Sequence, residues 1–105
     1  MQKNMPRHRW SVDDDLIAYH AFRFGPRDLD GSIEEMGQIL GMGFNSFALK
    51  IANFKAIAGM GGLPNYTRQS VQVYEKYSKL SDGEARLAGV EAIGRAFEAY
   101  SNRKD

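Results

Sequence analysis

The sequence predicts a small all-α domain of four to five helices that contains a helix-turn-helix unit. Apolar residues recur with the 3.6-residue period of helices, and three capping boxes mark helix starts. The segment that most resembles a strand loses strand alternation at Val73 and Tyr74. The 105 residues, 43% of them hydrophobic, suit a single domain over residues 1–105 that buries its own core.

Capping residues and glycines set the predicted helix boundaries. A serine followed three residues later by an acid is typical of a helix start. These pairs are Ser11 with Asp14, Ser32 with Glu35, and Ser81 with Glu84. The third helix is expected to begin near Asn45 and the fourth after Thr67. The predicted breaks are Gly25-Pro26, Gly41 and the glycine-rich loop 58–65. Residues 1–8 are expected to be a flexible basic arm and residues 101–105 a frayed tail.

The third helix is predicted to have a core side and a solvent side. Its core side consists of Phe47, Ile51 and Phe54. The positions expected to face solvent are Asn45, Ser46, Leu49, Lys50 and Asn53.

The second and third helices, with the short link between them, match the helix-turn-helix pattern. Gly37 would allow a close helix crossing, Leu40 would face the core, and Gly41 would form the turn. The second helix of such a unit lies in the major groove. An apolar residue commonly stands where this sequence has Lys50. Spacing alone therefore leaves a DNA-binding unit and a plain helical hairpin as equal alternatives.

Charge is segregated along the chain, although the net charge is only +1. Residues 1–11 carry +3, residues 12–35 carry −5, residues 36–80 carry +4 and residues 81–105 carry −1. The basic middle is where a polyanion is expected to bind.

Several classes of chemistry are not supported by the sequence. Cysteine is absent, and His8 and His20 have no partners at metal-ligand or general-base spacing. Asp13, Asp14 and Asp15 are interpreted as acids that favour a helix dipole rather than as a magnesium site. The glycine-rich loops follow no strand and match no nucleotide-binding motif. We expect no catalytic residues, no metal, no cofactor and no enzymatic activity. Because no signal peptide or membrane span is evident, we expect a soluble cytoplasmic protein.

Short motifs over residues 9–80 resemble the N-terminal domain of many bacterial HNH-type restriction endonucleases. The motifs are Arg9-Trp10-Ser11 leading to Asp15, Ala18-Tyr19, Leu40-Gly41, Ser46 with Lys50, Asn53-Phe54, and Gly62-Leu63-Pro64-Asn65-Tyr66-Thr67. The tryptophan at the start also resembles Myb/SANT-like domains. Those nucleases carry a histidine-rich catalytic domain downstream, and these 105 residues contain none. The resemblance therefore implies binding of a DNA target without cleavage.

We accordingly expect a module that binds double-stranded DNA, as a regulator or as part of a phage or restriction-related system. The residues expected to contact DNA are Arg7, Arg9, Asn45, Ser46, Leu49, Lys50, Asn53, Lys55, Asn65, Thr67 and Arg68. The helix over residues 84–100 carries an alanine stripe that could pair two copies. The alternative is a small helical adaptor or inhibitor that binds protein and not DNA.

Overall fold

The computed structural model describes residues 9–29 and 31–104, which form five α-helices and one short 3-10 helix. The helices are α1 (Val12–Phe24), α2 (Ile33–Ile39), α3 (Phe44–Ile57), α4 (Arg68–Ser78) and α5 (Asp82–Lys104), with the 3-10 turn at Pro26–Asp28. These ranges contain no strand. The predicted all-α class is therefore confirmed. None of the helices in this part of the chain is long and apolar enough to cross a membrane.

Helix α1 is the centre of the domain. It packs against α3, α4 and α5, while α3 and α5 make little contact with each other. All residues from Asp15 to Ala21 are buried, which is possible only because neighbours surround the helix. The core continues into α2 and α3 through Met36, Phe47 and Phe54. Helices α3 and α5 therefore each pack against α1 and contact each other only a little.

The observed caps match most of the predicted boundaries. All three serine–acid capping boxes form, and Thr67 caps α4. Helix α3 begins at Phe44, one residue from the predicted start near Asn45, and its N-cap is Gly43 rather than Asn45. The predicted frayed tail is helical through Lys104, because it continues the last turns of a 23-residue helix.

The small residues of α5 lie on its inner face, against the core of the domain. Ala85 and Ala92 are buried, and Ala88 and Ala96 pack against the core. The prediction that this alanine stripe pairs two copies is therefore wrong, because the stripe lets α5 lie close to α1. Gly89 shows how close this approach is, since a Cβ there would overlap the ring of His20.

His20 is completely buried. Its Nε2 lies 3.0 Å from Oδ2 of Asp28. Arg86 donates to both oxygens of the same carboxylate, from Nε to Oδ2 and from Nη2 to Oδ1. Burial lowers the pKa of His20, and the Asp28 carboxylate opposes this only in part. His20 is therefore a neutral core residue that links α1 to the 3-10 turn and to α5.

Candidate nucleic-acid interface

A four-residue link, residues 40–43, joins α2 to α3. Gly41 and Gly43 have φ values of 82° and 84°, a region that favours glycine. The amides of Met42 and Gly43 both donate to the carbonyl oxygen of Gly37, at 2.9 and 3.0 Å. Leu40 is buried as predicted. The link is thus a closed turn that packs α2 against α3.

The exposed face of α3 carries four of the predicted contact residues. Asn45, Ser46 and Lys55 are exposed, and Leu49 is 52% exposed. The first turn of α3 holds no acid, and Gly43 supplies no side-chain cap. The N-terminal end of α3 is therefore polar, free of carboxylates and open at its surface.

Lys50 does not face solvent, and the prediction that it does is wrong. It is 5% exposed, and its Nζ lies 3.3 Å from Oδ1 of Asp15. The ammonium also donates to Oγ of Ser70 at 3.0 Å and stands 4.7 Å from the ring centroid of Trp10. The reason is helical geometry: three residues after Phe47 and four before Phe54, position 50 lies beside the core stripe.

Asp15 is the buried anion that balances this lysine. Its Oδ1 accepts from Ser70 Oγ at 3.1 Å, and its Oδ2 accepts from Nε2 of Gln69 at 2.7 Å. The same Gln69 nitrogen donates to the carbonyl oxygen of Trp10 at 3.0 Å. These bonds tie α1, α3 and the start of α4 together. The sequence predicted only a helix-dipole role for Asp15, although a lysine at a usually apolar position was a signal for a buried acid.

Asn53 is also buried, so its predicted solvent exposure is wrong. Its Nδ2 donates to the carbonyl oxygen of Leu63 at 2.9 Å, while the Leu63 amide donates to the carbonyl oxygen of Ala52 at 3.2 Å. Nearer the end of α3, the Met60 amide donates to the carbonyl oxygen of Lys55 at 2.8 Å. Asn53 therefore holds the loop between α3 and α4 against α3.

Gly62 makes this close packing possible. Its φ is 84°, and a Cβ would overlap the carbonyl oxygen of Ala52. The loop leaves Asn65 exposed and presents exposed apolar side chains at Met60, Leu63 and Tyr66. The loop and the outer face of α3 therefore form one continuous surface.

The start of α4 borders this surface. Arg68 is exposed. Thr67 is exposed too, but its Oγ1 accepts from the amide of Ser70 at 3.1 Å, so its hydroxyl is engaged as a cap. Arg9 is exposed beside Trp10, and Arg7 lies outside the described residues. Residues 36–74, which supply α3, the loop and the start of α4, contain no Asp or Glu.

Comparisons with protein-family models, with curated proteins and with solved structures returned no match for this chain. Over residues 9–29 and 31–104 the fold is an all-α globule of five helices.

Proposed function

We propose that this chain is a double-stranded-DNA-binding module in which α2 and α3 form a helix-turn-helix unit. The observation that carries the proposal is the acid-free stretch of residues 36–74, which supplies the outer face of α3 and the loop packed beside it. Carboxylates on such a surface would repel phosphates, whereas a neutral to basic surface tolerates them. The exposed cations that border it are Lys55 and Arg68.

Base contacts are assigned to the exposed residues in the first half of α3. An asparagine can pair with an adenine edge, a serine hydroxyl bonds several bases, and an apolar side chain contacts the thymine methyl group. Asn45, Ser46 and Leu49 provide these three chemistries on one exposed face. The N-terminal residues of the second helix are those that reach base edges in helix-turn-helix units.

Phosphate contacts are assigned to Lys55, Asn65 and Arg68. Arg7 and Arg9 would extend the contact as a basic arm. Lys50, Asn53 and Thr67 take a different role from the one the sequence suggested. They position α3, the loop and the start of α4, through Asp15, Leu63 and Ser70 respectively.

The sequence resemblance supports the same assignment. Two of its motifs, Asn53-Phe54 and the run from Gly62 to Thr67, touch each other through the Asn53–Leu63 hydrogen bond. We propose on this basis a cytoplasmic role in a bacterial or phage restriction-related system, with DNA binding and no enzymatic activity. We also propose that two copies pair through a face of α5 other than the buried alanine stripe, since helix-turn-helix modules commonly read two half-sites as dimers.

The alternative function is a helical protein-interaction module. The observation that favours it is the group of exposed apolar side chains on α3 and the loop, since such patches often mark protein contacts. The group comprises Leu49, Met60, Leu63 and Tyr66.

The test is selection of bound sequences from a randomised DNA duplex pool. Wild-type protein is expected to enrich a motif that contains adenine and thymine. Asn45→Ala and Leu49→Ala should each lose preference at a different position of that motif, by roughly 1–3 kcal/mol per base. The matched control is Gln72→Ala, an exposed position on α4. A folded wild type that retains no duplex at low salt contradicts the proposal and favours the protein-interaction module.

A further inference from the structure

Helix α5 has a second apolar face that points away from the domain. Leu87 is 60% exposed and Val90 is 43% exposed. Gly83 and Gly94 continue the row at the i, i+4, i+7, i+11 spacing of a helix-pairing stripe. Within the described ranges, a Cβ at either glycine would have no neighbour within 4 Å. We call Gly83, Leu87, Val90 and Gly94 the outer seam.

The outer seam is distinct from the face of α5 that packs on α1. Ala85, Ala92 and Ile93 are buried on that inner face. Helix α5 therefore has two apolar sides, and only the inner one is covered among the described residues. The seam lies on a helix that contacts α1 extensively and α3, which carries the proposed base contacts, only a little.

The charges that flank the seam indicate how a partner helix would lie. Glu84, Glu91 and Glu98 follow one another at seven-residue intervals on one flank, and Arg86 lies on the other. In an antiparallel pair of identical helices like flanks meet, which would place glutamates against glutamates. In a parallel pair opposite flanks meet, which brings Arg86 to the partner's Glu91.

The Arg86 side chain is already held in a fixed orientation. Its Nε and Nη2 donate to the two carboxylate oxygens of Asp28 at 2.8 and 2.6 Å. These bonds fix the guanidinium plane and leave Nη1 for a second acceptor. A carboxylate that approached along the seam would then be bound by an arginine already held in place.

We propose that a second copy of this chain docks on the outer seam, with the two α5 helices parallel and in register. This docking defines the face and the orientation of the α5 pairing proposed above. Its biological role rests on the proposed DNA-binding function, but the dimer itself forms without DNA. The seam is short, well below the roughly 800 Å² per partner of a standard interface, so the pairing is weak and concentration-dependent. Two copies on one duplex would pair more strongly, because DNA raises their effective concentration.

Cysteine cross-linking tests the orientation directly, because the chain has no cysteine of its own. In a parallel, in-register pair each seam residue faces the same residue of the second copy. Val90→Cys and Gly83→Cys should therefore each form a disulfide dimer when oxidised glutathione is added. The two thiols are oxidised to the disulfide, and the glutathione disulfide takes up their two electrons and two protons to become two molecules of reduced glutathione. The matched control is Glu75→Cys, an exposed position on α4. The experiment uses the full chain at high concentration without DNA, so its outcome is independent of DNA binding.

We expect several-fold more cross-linked dimer from both seam variants than from the control. Addition of Glu91→Lys to Val90→Cys should reduce the yield several-fold, because it places a lysine against Arg86. Equal yields from seam and control variants would overturn the inference. A dimer that forms only when Gly83→Cys is mixed with Gly94→Cys would also overturn it, because that pattern belongs to an antiparallel pair.

Discussion

Lys50 of α3 and Asp15 of α1 form an ion pair inside the protein, with Nζ 3.3 Å from Oδ1 and side chains that are 6% and 0% exposed. Removing two charges from water is costly, and only good geometry with further hydrogen bonds offsets that cost. Ser70 and Gln69 supply those bonds to Asp15, and the Trp10 ring covers the ammonium. The pair therefore fixes the orientation of α3 instead of contacting a ligand.

Loss of one partner of this pair should destabilise the fold strongly. Lys50→Ala leaves a buried, uncompensated carboxylate and should cost about 3–5 kcal/mol in unfolding free energy. The double variant Lys50→Met with Asp15→Leu removes both charges and should be far closer to wild type. Urea unfolding of both variants measures the difference. A Lys50→Ala protein as stable as wild type would show that the ion pair does not form.

The loop between α3 and α4 should depend on Gly62 more than on Gly61. Both have a φ of 84°, so alanine strains the backbone at either position by about 1–2 kcal/mol. Only at residue 62 does the added Cβ also meet the carbonyl oxygen of Ala52. We expect Gly62→Ala to lower the melting temperature clearly more than Gly61→Ala. Equal losses would mean that the loop does not pack on α3.

A second pair of glycines tests the contact between α1 and α5. Gly94→Ala fills open space in a helix and should raise stability by up to about 1 kcal/mol. Gly89→Ala would push a Cβ into the buried ring of His20 and should lower stability despite the same gain in helix propensity. Thermal unfolding at low protein concentration measures both. Stabilisation by both substitutions would contradict the close crossing of the two helices.

Acid should weaken the fold through His20. Burial lowers the pKa of His20 in the folded protein, while an unfolded histidine titrates near about 6.5. As the pH falls below that value the unfolded chain binds a proton first, so the unfolding free energy decreases. Arg86 holds the pKa of Asp28 below its usual range, so that carboxylate contributes only at lower pH.

The check is the slope of unfolding free energy between pH 7 and pH 5. It should be positive in wild type and smaller in His20→Gln, whose amide can still donate to Asp28. If the two slopes are the same, His20 is not the group that titrates.

The sequence alone predicted the helices because their signals are local. A serine and an acid three residues apart determine where α1 and α2 begin, and the period of Phe47 and Phe54 determines which side of α3 is buried. The same local patterns predicted the turn at Gly41.

The tertiary role of polar residues was not predictable from local pattern. On a helical projection Asn53 falls on the solvent side and Lys50 at the edge of the core stripe, and the approach of the loop and of α1 buries them. The alanines of α5 gave a similar ambiguity, because small residues suit any close helix contact, whether within one chain or between two.

The exposed basic residues allow a direct test of DNA binding. Arg68 begins α4 beside the proposed surface, and Lys79 lies at the other end of the same helix, about 17 Å away by helical rise. Both are exposed cations, so their alanine variants change the net charge equally. Lys50→Ala is unsuitable here, because loss of folding would imitate loss of binding.

The decisive measurement is the affinity of wild type, Arg68→Ala and Lys79→Ala for one fluorescent duplex by anisotropy across a salt series. We predict that wild type binds with a clear salt dependence and that Arg68→Ala weakens binding and flattens the slope of log K against log salt by about one unit. Lys79→Ala should keep the wild-type slope. If the folded wild type does not bind duplex DNA at low salt, or if Arg68→Ala and Lys79→Ala behave alike, the surface formed by α3 and the loop is not a DNA interface.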